Sequence, residues 1–358
     1  MHELCRIENL LRRDGNGVLV TLIRTEGSTY RKAGAKLFLS RSGAEVGAIS
    51  GGCIETAIRT EADRLFAGGS NRLFVVDTTR DGDLVFGSGS GCPGRLHLLF
   101  ERMSSESEHG VVTFAAESVR QRRRVVLATS VSAGAGKAAF TTDDSRSSFA
   151  GAELDAAVER TARSVQSTGI VTHEWNGSGV EVFYDVIEPP HLLAVCGAGG
   201  DALPLISMAA ECGFDVIVID PREALAAPAR FPAAGRILLS HPDRLRDCLM
   251  LDERTAAVVM THNYFLDLAC LDWLMGTAAR YIGVVGSRTR FTSLVRDVSR
   301  SAGAEAGRIF GPAGLDIGSE TASEIALSIL AEAKAVLTGR SGASMTACRP
   351  QPLVGATD

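Results

Sequence analysis

The sequence predicts an α/β protein with an N-terminal α+β domain and a C-terminal domain built on a mostly parallel sheet. Residues 192–285 alternate short, wholly apolar runs with helical segments, which is typical of parallel strands buried on both faces. A glycine-rich loop follows the first of these runs. Pro189-Pro190 interrupts the chain just before it, and 358 residues are enough for two domains.

The composition excludes several classes of protein. Apolar residues make up 45% of the chain and charged residues 22%, values typical of a globular protein. The net charge of −5 and the absence of a basic stripe argue against nucleic acid as a partner. The basic run Arg120–Arg124 is interpreted as a solvated helix end before a strand.

The chain also lacks the patterns of membrane and secreted proteins. No run of about 18 apolar residues is present, so we expect no transmembrane helix and no membrane partner. Residues 2–13 have the pattern of a short amphipathic helix and not of a signal peptide. The eight cysteines include no CxxC pair, which indicates reduced thiols in a cytoplasmic protein.

The N-terminal domain is predicted to span residues 1–188, with 104–187 as an extension of it. Turn residues and apolar patterns place strands at 18–23, 36–40, 45–49, 73–77 and 96–100, with a helix at 54–66 that Gly68-Gly69 ends. In the extension they place strands at 125–129, 170–174 and 180–187, and a helix at 153–164.

The C-terminal domain is predicted to span residues 189–340, followed by a flexible tail at 341–358. Apolar runs place its strands at 192–196, 216–219, 237–239, 257–260 and 282–285. Helices are expected at 202–212 and at 321–337, the second with Ser319 and Thr321 as candidate caps.

The loop at 197–202 has the sequence GAGGDA between a predicted strand and a predicted helix, the GxGxxA pattern of Rossmann-like domains. Gly197 allows a tight turn, and Gly199 and Gly200 let the backbone approach a phosphate at the helix N-terminus. Asp220 ends the second strand, where a carboxylate commonly binds a ribose hydroxyl. We therefore expect phosphate or nucleotide-like binding, with a turn kept only for packing as the alternative.

Two further loops are predicted at the same edge of the sheet, where ligands of open α/β sheets bind. His262 follows the fourth strand, and Gly286, Ser287 and Arg288 follow the fifth. Arg288 is suited to holding an anion, and His262 to acting as a base or hydrogen-bond donor. The alternatives are an ion pair at a helix start for Arg288 and a structural role for His262.

Two glycine-flanked cysteines stand out in the N-terminal domain. Cys53 follows Gly51 and Gly52 and precedes a predicted helix, whose dipole would favour a thiolate, while the glycine amides could bind an anion. Cys92 lies in a second glycine-flanked loop. Both could instead be small buried apolar residues. Without histidine partners they make a poor zinc site, and no metal site is predicted.

Together these segments resemble the XdhC/CoxI family of accessory proteins, which act in the maturation of xanthine dehydrogenase and carbon monoxide dehydrogenase. In the N-terminal part the resemblance rests on residues 24–29, residues 34–36 and GAISGGCIE at 47–55. In the C-terminal part it rests on GAGGDA at 197–202, VIDPR at 218–222, THN at 261–263, YIGVVGSR at 281–288 and GPAGLDIGSETASEIALSILAE at 311–332. It covers about residues 8–102 and 188–340.

The resemblance implies a chaperone, and not a self-contained enzyme, that binds the molybdenum cofactor (molybdopterin), protects it while sulfur is added, and delivers it to an apo molybdenum hydroxylase. It implies a cysteine desulfurase-type sulfur donor as a second partner. We also expect a homodimer. Cys53 first and Cys92 second are the expected thiols, because a soft thiolate suits the metal.

This sequence departs from the family pattern at three positions. Asn263 stands where relatives commonly carry aspartate, Pro93 removes a backbone donor beside Cys92, and Gly200-Asp201 replace a histidine found in some relatives. Two other functions remain open from the residues alone. One is an NAD(P)-dependent oxidoreductase that uses the same crevice, and the other is a nucleotide-sensing protein.

Overall fold

The computed structural model describes residues 2–52, 54–77, 94–131, 136–246, 248–302 and 306–346. The chain divides into two compact units, Met1–Pro189 and Pro190–Asp358. Two antiparallel sheets lie in the first unit and one parallel sheet in the second, which confirms the predicted mixed α/β class. Among the described residues, no helix is both long and apolar enough to cross a membrane.

The first unit contains two similar runs of elements. The first run consists of α1 Glu3–Asp14, β1 Gly17–Gly27, β2 Lys36–Ser40, β3 Glu45–Gly47, α2 Glu55–Phe66, β4 Arg72–Asp77 and β5 Gly94–Met103. The second run consists of α3 Glu106–Arg120, β6 Val125–Ser130, β7 Lys137–Phe140, β8 Ser145–Ser147, α4 Ala152–Ser164, β9 Gly169–Trp175 and β10 Ser178–Ile187. The region predicted as an extension therefore contains a complete sheet of its own.

The two runs form an internal repeat with one topology. Their sheets have the strand orders β3-β2-β1-β5-β4 and β8-β7-β6-β10-β9, which are identical when β6 is aligned with β1. The pairing registers agree as well. Thr21 lies opposite Lys36 and Leu19 opposite Glu101 in the first sheet, as Thr129 lies opposite Lys137 and Leu127 opposite Asp185 in the second. The repeat thus extends to individual residue positions.

Two buried ion pairs join the repeats. Lys36 of the first repeat binds Asp185 of the second, and Lys137 of the second binds Glu101 of the first, with Nζ 2.9 Å from Oε2. All four side chains are at most 7% exposed. Each lysine therefore pairs with the carboxylate that the other repeat supplies at the equivalent position.

Helices α1 and α3 pack against each other in a shared apolar core that both sheets also line. The sequence analysis placed a helix end at Arg120 but gave no start for α3, although Ser105 and Glu108 form a capping box there, a local signal that predicts a helix N-terminus. Arg120 at its end donates from Nη2 to Glu8 on α1 at 2.6 Å. Arg120 is the exposed last residue of α3 and precedes β6, as the sequence predicted for this basic run, and in addition it bridges two helices.

The second unit is an open parallel sheet flanked by helices. Its elements are β11 Leu192–Cys196, α5 Ala202–Glu211, β12 Asp215–Ile219, β13 Arg236–Leu238, β14 Thr255–Val259, α6 Tyr264–Met275, β15 Tyr281–Val284, α7 Arg288–Ala302, β16 Ile309–Phe310 and α8 Ala322–Leu337. The strand order is β13-β12-β11-β14-β15-β16. The chain adds strands on one side of β11 up to β13 and then continues on its other side with β14, so the order of the strands reverses between β11 and β14. The crevice at this reversal is where ligands of such sheets bind.

Candidate functional site

The glycine loop after β11 packs tightly against the neighbouring loop. Gly197 has φ of +125°, and a Cβ atom added there would lie 2.5 Å from the carbonyl oxygen of Met260. Its N–H donates to the carbonyl of Ile219 at 2.9 Å. Only glycine combines this positive φ with the absence of a Cβ atom. Gly197 is therefore needed for the loop to pass between the ends of β12 and β14.

Asp220 ties this loop to the end of β12. Its side chain is 0% exposed. Oδ2 accepts hydrogen bonds from the Ala198 amide at 2.8 Å and from Arg222 Nη2 at 2.6 Å, and Oδ1 accepts from the Arg222 amide at 2.9 Å and Nε at 2.8 Å. Both oxygens that were predicted to bind a ribose are therefore occupied by donors of this chain.

These contacts predict a pH dependence of stability. Burial raises the pKa of Asp220, but hydrogen bonds from Arg222 and the Ala198 amide outweigh it and leave the pKa below its ordinary value. A carboxyl with a lowered folded-state pKa adds stability above its unfolded pKa of about 4 and loses that contribution as the pH falls through the lower folded value. We expect denaturant unfolding at pH 7, 5, 4 and 3 to show this loss, with a shallower decline in Asp220→Asn. An identical decline in the two proteins would refute the assignment.

His262 lies across the crevice from the glycine loop. It adopts φ of +59°, and its Nε2 donates to Oδ2 of Asp201 at 2.7 Å. Asn263 beside it caps α6 by accepting from the Leu266 amide at 3.0 Å. The two side chains of the His262–Asp201 pair are 64% and 30% exposed, respectively. His262 therefore holds Asp201 at the mouth of the crevice.

Asp201 lies directly over the glycine loop. It precedes α5 but makes no hydrogen bond to the amides of that helix. A Cβ atom added at Gly199 would lie 2.4 Å from Asp201 Oδ1 and 3.7 Å from His262 Cδ2. An alanine at Gly199 would therefore force the end of the Asp201 side chain to move.

A buried carboxylate that the sequence analysis did not single out fixes the next two loops. Asp267 on α6 accepts from the amide of Thr261 at 3.1 Å, from its hydroxyl at 2.6 Å and from Arg290 Nη2 at 2.7 Å. Arg290 also lies over the ring of Tyr264. Asp267 is an acid within a mostly apolar helix, and a buried carboxylate there needs hydrogen-bond partners. This acid is the feature of the sequence that could have predicted its role.

Arg288 begins α7 and lines a different cavity at the same edge of the sheet. This cavity has a volume of about 650 Å³ and lies between Gly286, Arg288 and the loop 312–319, which leads into α8. Arg288 is exposed and forms no ion pair or side-chain hydrogen bond with any described residue. Ser287 Oγ accepts from the Arg290 amide at 3.2 Å. His262 thus contacts Asp201 at the glycine loop, whereas the cavity that Arg288 lines includes no residue of that loop, and one pocket shared by all of them stays a prediction.

The predicted thiol sites lie largely outside the described residues. Cys53 and Cys92 are not among them, and their roles stay predictions. Gly51 and Gly52 are exposed, and the Gly52 amide donates to Ser50 Oγ at 3.1 Å. Glu55 at the start of α2 accepts from the Ser50 and Ile54 amides, both at 3.2 Å. In the part of the chain the structure describes, no cluster of three or more potential metal ligands occurs.

Three kinds of comparison agree with this architecture. Residues 193–333 match the family described as "XdhC Rossmann domain", and residues 10–77 match "XdhC and CoxI family". A relative from Bacillus subtilis (strain 168), named as a probable subunit of xanthine dehydrogenase, is 30% identical over 91% of this chain and 94% of its own.

Two further matches also span nearly the whole chain. The Escherichia coli (strain K12) protein PaoD, named a molybdenum cofactor insertion chaperone, is 24% identical over 92% of this chain and 86% of its own. A crystal structure from Bacillus halodurans, described as a xanthine dehydrogenase, superposes with a TM-score of 0.79 at 25% identity, covering 98% of both chains.

Proposed function

Because this chain belongs to the XdhC and CoxI family, we propose that it binds the molybdenum cofactor as cargo, protects it during sulfuration and delivers it to a hydroxylase of the xanthine dehydrogenase type. The name of PaoD supports the insertion role, and the name of the B. subtilis relative supports the class of client. The proposal makes the chain a maturation chaperone and not a catalyst of substrate turnover.

The observation that carries the proposal is the Arg288 cavity. Molybdopterin is a pterin with a phosphate group, and an arginine without a partner among the described residues offers that phosphate a planar set of charged donors. The cavity volume of about 650 Å³ lies within the range of about 300–1,000 Å³ that small-molecule sites occupy. Its wall is the loop 312–319, part of the longest segment that resembles the family.

The proposal also includes the partners and the thiols. A cysteine desulfurase-type donor would supply the sulfur, and Cys53 first and Cys92 second would contact the soft metal. The described cysteines are free thiols, which supports a cytoplasmic protein. A homodimer is part of the proposal as well.

Co-purification with the molybdenum cofactor tests the site. We expect Arg288→Ala to lower the bound cofactor per chain by about 10- to 100-fold, the effect of losing one charge-assisted hydrogen-bonding group. Cofactor content would be measured by molybdenum analysis and by fluorescence of the oxidised pterin. Arg296→Ala is the matched control, because Arg296 is an exposed arginine on the same helix. Equal cofactor content in wild type and Arg288→Ala would contradict the assignment.

A further inference from the structure

The crevice between β11 and β14 has the opposite polarity to that of a dinucleotide-binding site. In such sites the glycine loop and the helix N-terminus offer N–H donors to a diphosphate, and a carboxylate after the second strand accepts from the ribose hydroxyls. Here a carboxylate, Asp201, lies at the loop, and a half-exposed cation, Arg222, covers the carboxylate that follows the second strand. Both reversals follow from the contacts of these residues.

At the loop, Asp201 places negative charge where a diphosphate would approach. Its Oδ1 lies over Gly199 and accepts no hydrogen bond from any described residue, while Oδ2 is bound to His262. The side chain is 30% exposed, so Oδ1 can accept a hydrogen bond from a ligand. An acceptor at this point attracts N–H groups and repels phosphate.

At the end of β12, the ribose acceptor is missing from the surface. Asp220 is 0% exposed, and both of its oxygens are occupied. Arg222 is 39% exposed and uses Nε and Nη2 on Asp220, whereas Nη1 has no partner among the described residues. A ribose diol would therefore not reach the Asp220 carboxylate and would meet the Arg222 guanidinium that covers it.

We propose that Asp201 binds the 2-amino-4-oxopyrimidine edge of a pterin, and that the same carboxylate excludes NAD(P) from the crevice. This edge carries an N–H and an NH₂ group side by side, and Oδ1 can accept from it while Oδ2 keeps its hydrogen bond to His262. His262 is a positioning residue that holds Asp201 over Gly199. The inference rests on the proposed function and adds the group of the cargo that this crevice recognises. Guanine presents the same edge, so the test includes it.

The test uses the full chain and 6-hydroxymethylpterin, which has the edge but neither phosphate nor metal. Binding is followed by pterin fluorescence, and NADH and guanosine are titrated by calorimetry. We expect wild type to bind the pterin more tightly than guanosine and to give no saturable binding of NADH. Asp201→Asn should weaken pterin binding by about 10- to 100-fold, because one acceptor becomes a donor. Glu211→Gln, at the far end of α5 and exposed, should change nothing.

Several results would overturn the inference: equal pterin affinity in wild type and Asp201→Asn, no pterin binding by wild type, tighter binding of guanosine, or saturable binding of NADH. Cofactor content of the same preparations separates this inference from the proposed function. Cofactor that co-purifies without any dependence of pterin binding on Asp201 refutes the inference alone. Pterin binding through Asp201 in a chain that never carries the cofactor refutes the proposed function alone.

Discussion

Lys36→Met is expected to lower the free energy of unfolding of the first unit by about 3–5 kcal/mol, the typical effect of removing one partner of a buried ion pair. The substitution leaves the Asp185 carboxylate buried, with Thr168 Oγ1 at 3.3 Å as its remaining side-chain donor in the described part of the chain. An uncompensated charge in such a place is far more costly than the loss of a surface contact. Guanidinium denaturation followed by circular dichroism measures the change.

Two variants make this result specific to the pair. Lys36→Met combined with Asp185→Leu removes both charges and should recover much of the loss, because the buried charge disappears with its partner. Lys137→Met alters the equivalent lysine of the second repeat and should destabilise in the same direction through Glu101. A loss below about 1 kcal/mol for Lys36→Met, the value of an exposed pair, would show that the pair is hydrated.

The second large effect is expected at Asp220. Asp220→Leu should lower the free energy of unfolding of the second unit by about 2–4 kcal/mol, because the Ala198 amide and Arg222 lose their acceptor inside the glycine loop. The expected loss is smaller than that for Lys36, since Arg222 is half-exposed and can bind water instead. Chemical denaturation again provides the measurement.

The control for this substitution is Asp243→Asn. Its carboxylate is exposed and forms an ion pair only with His241 among the residues that the structure describes, so the change should stay within about 0.5 kcal/mol. If Asp220→Leu were as mild as this control, the carboxylate would not be holding the loop. Cofactor binding in Asp220→Leu should be assayed only under conditions where the variant is folded.

The sequence predicted the strands of the second unit well because buried parallel strands are continuous apolar runs. β11 begins and ends at the predicted residues, and α8 begins after Thr321, one of the two proposed caps. Helix α6 was missed for the same physical reason: apolar residues occur on all its sides, so no helical period is visible in Tyr264–Met275. The two-residue strand β16 is too short to give a pattern.

The internal repeat left little trace in the sequence. Leu19 and Thr21 match Leu127 and Thr129, and Lys36 matches Lys137. The strands that carry the lysines otherwise differ, since β2 reads KLFLS and β7 reads KAAF. The two repeats keep one fold with side chains of different volume, so the strand order and the pairing registers reveal the equivalence.

The site was predictable in position and less so in polarity. The GAGGDA motif placed the loop correctly after β11, and the position of Asp220 at the end of β12 was also predicted. Local sequence does not determine where Asp201 points, because the same residue could cap α5. Its partner His262 lies sixty-one positions away in the chain, and that pairing depends on the order of the strands.

The reciprocal ion pairs of the first unit have the form of an isologous contact, in which residue i meets residue j and residue j meets residue i, as in a two-fold symmetric dimer. Each repeat supplies one buried lysine and one buried carboxylate, and the ion-pair partner of each lies in the other repeat. Neither half is therefore free to change the sign of these positions independently. At these four positions the chain resembles a fused dimer, in which a change of charge in one repeat requires the opposite change in the other.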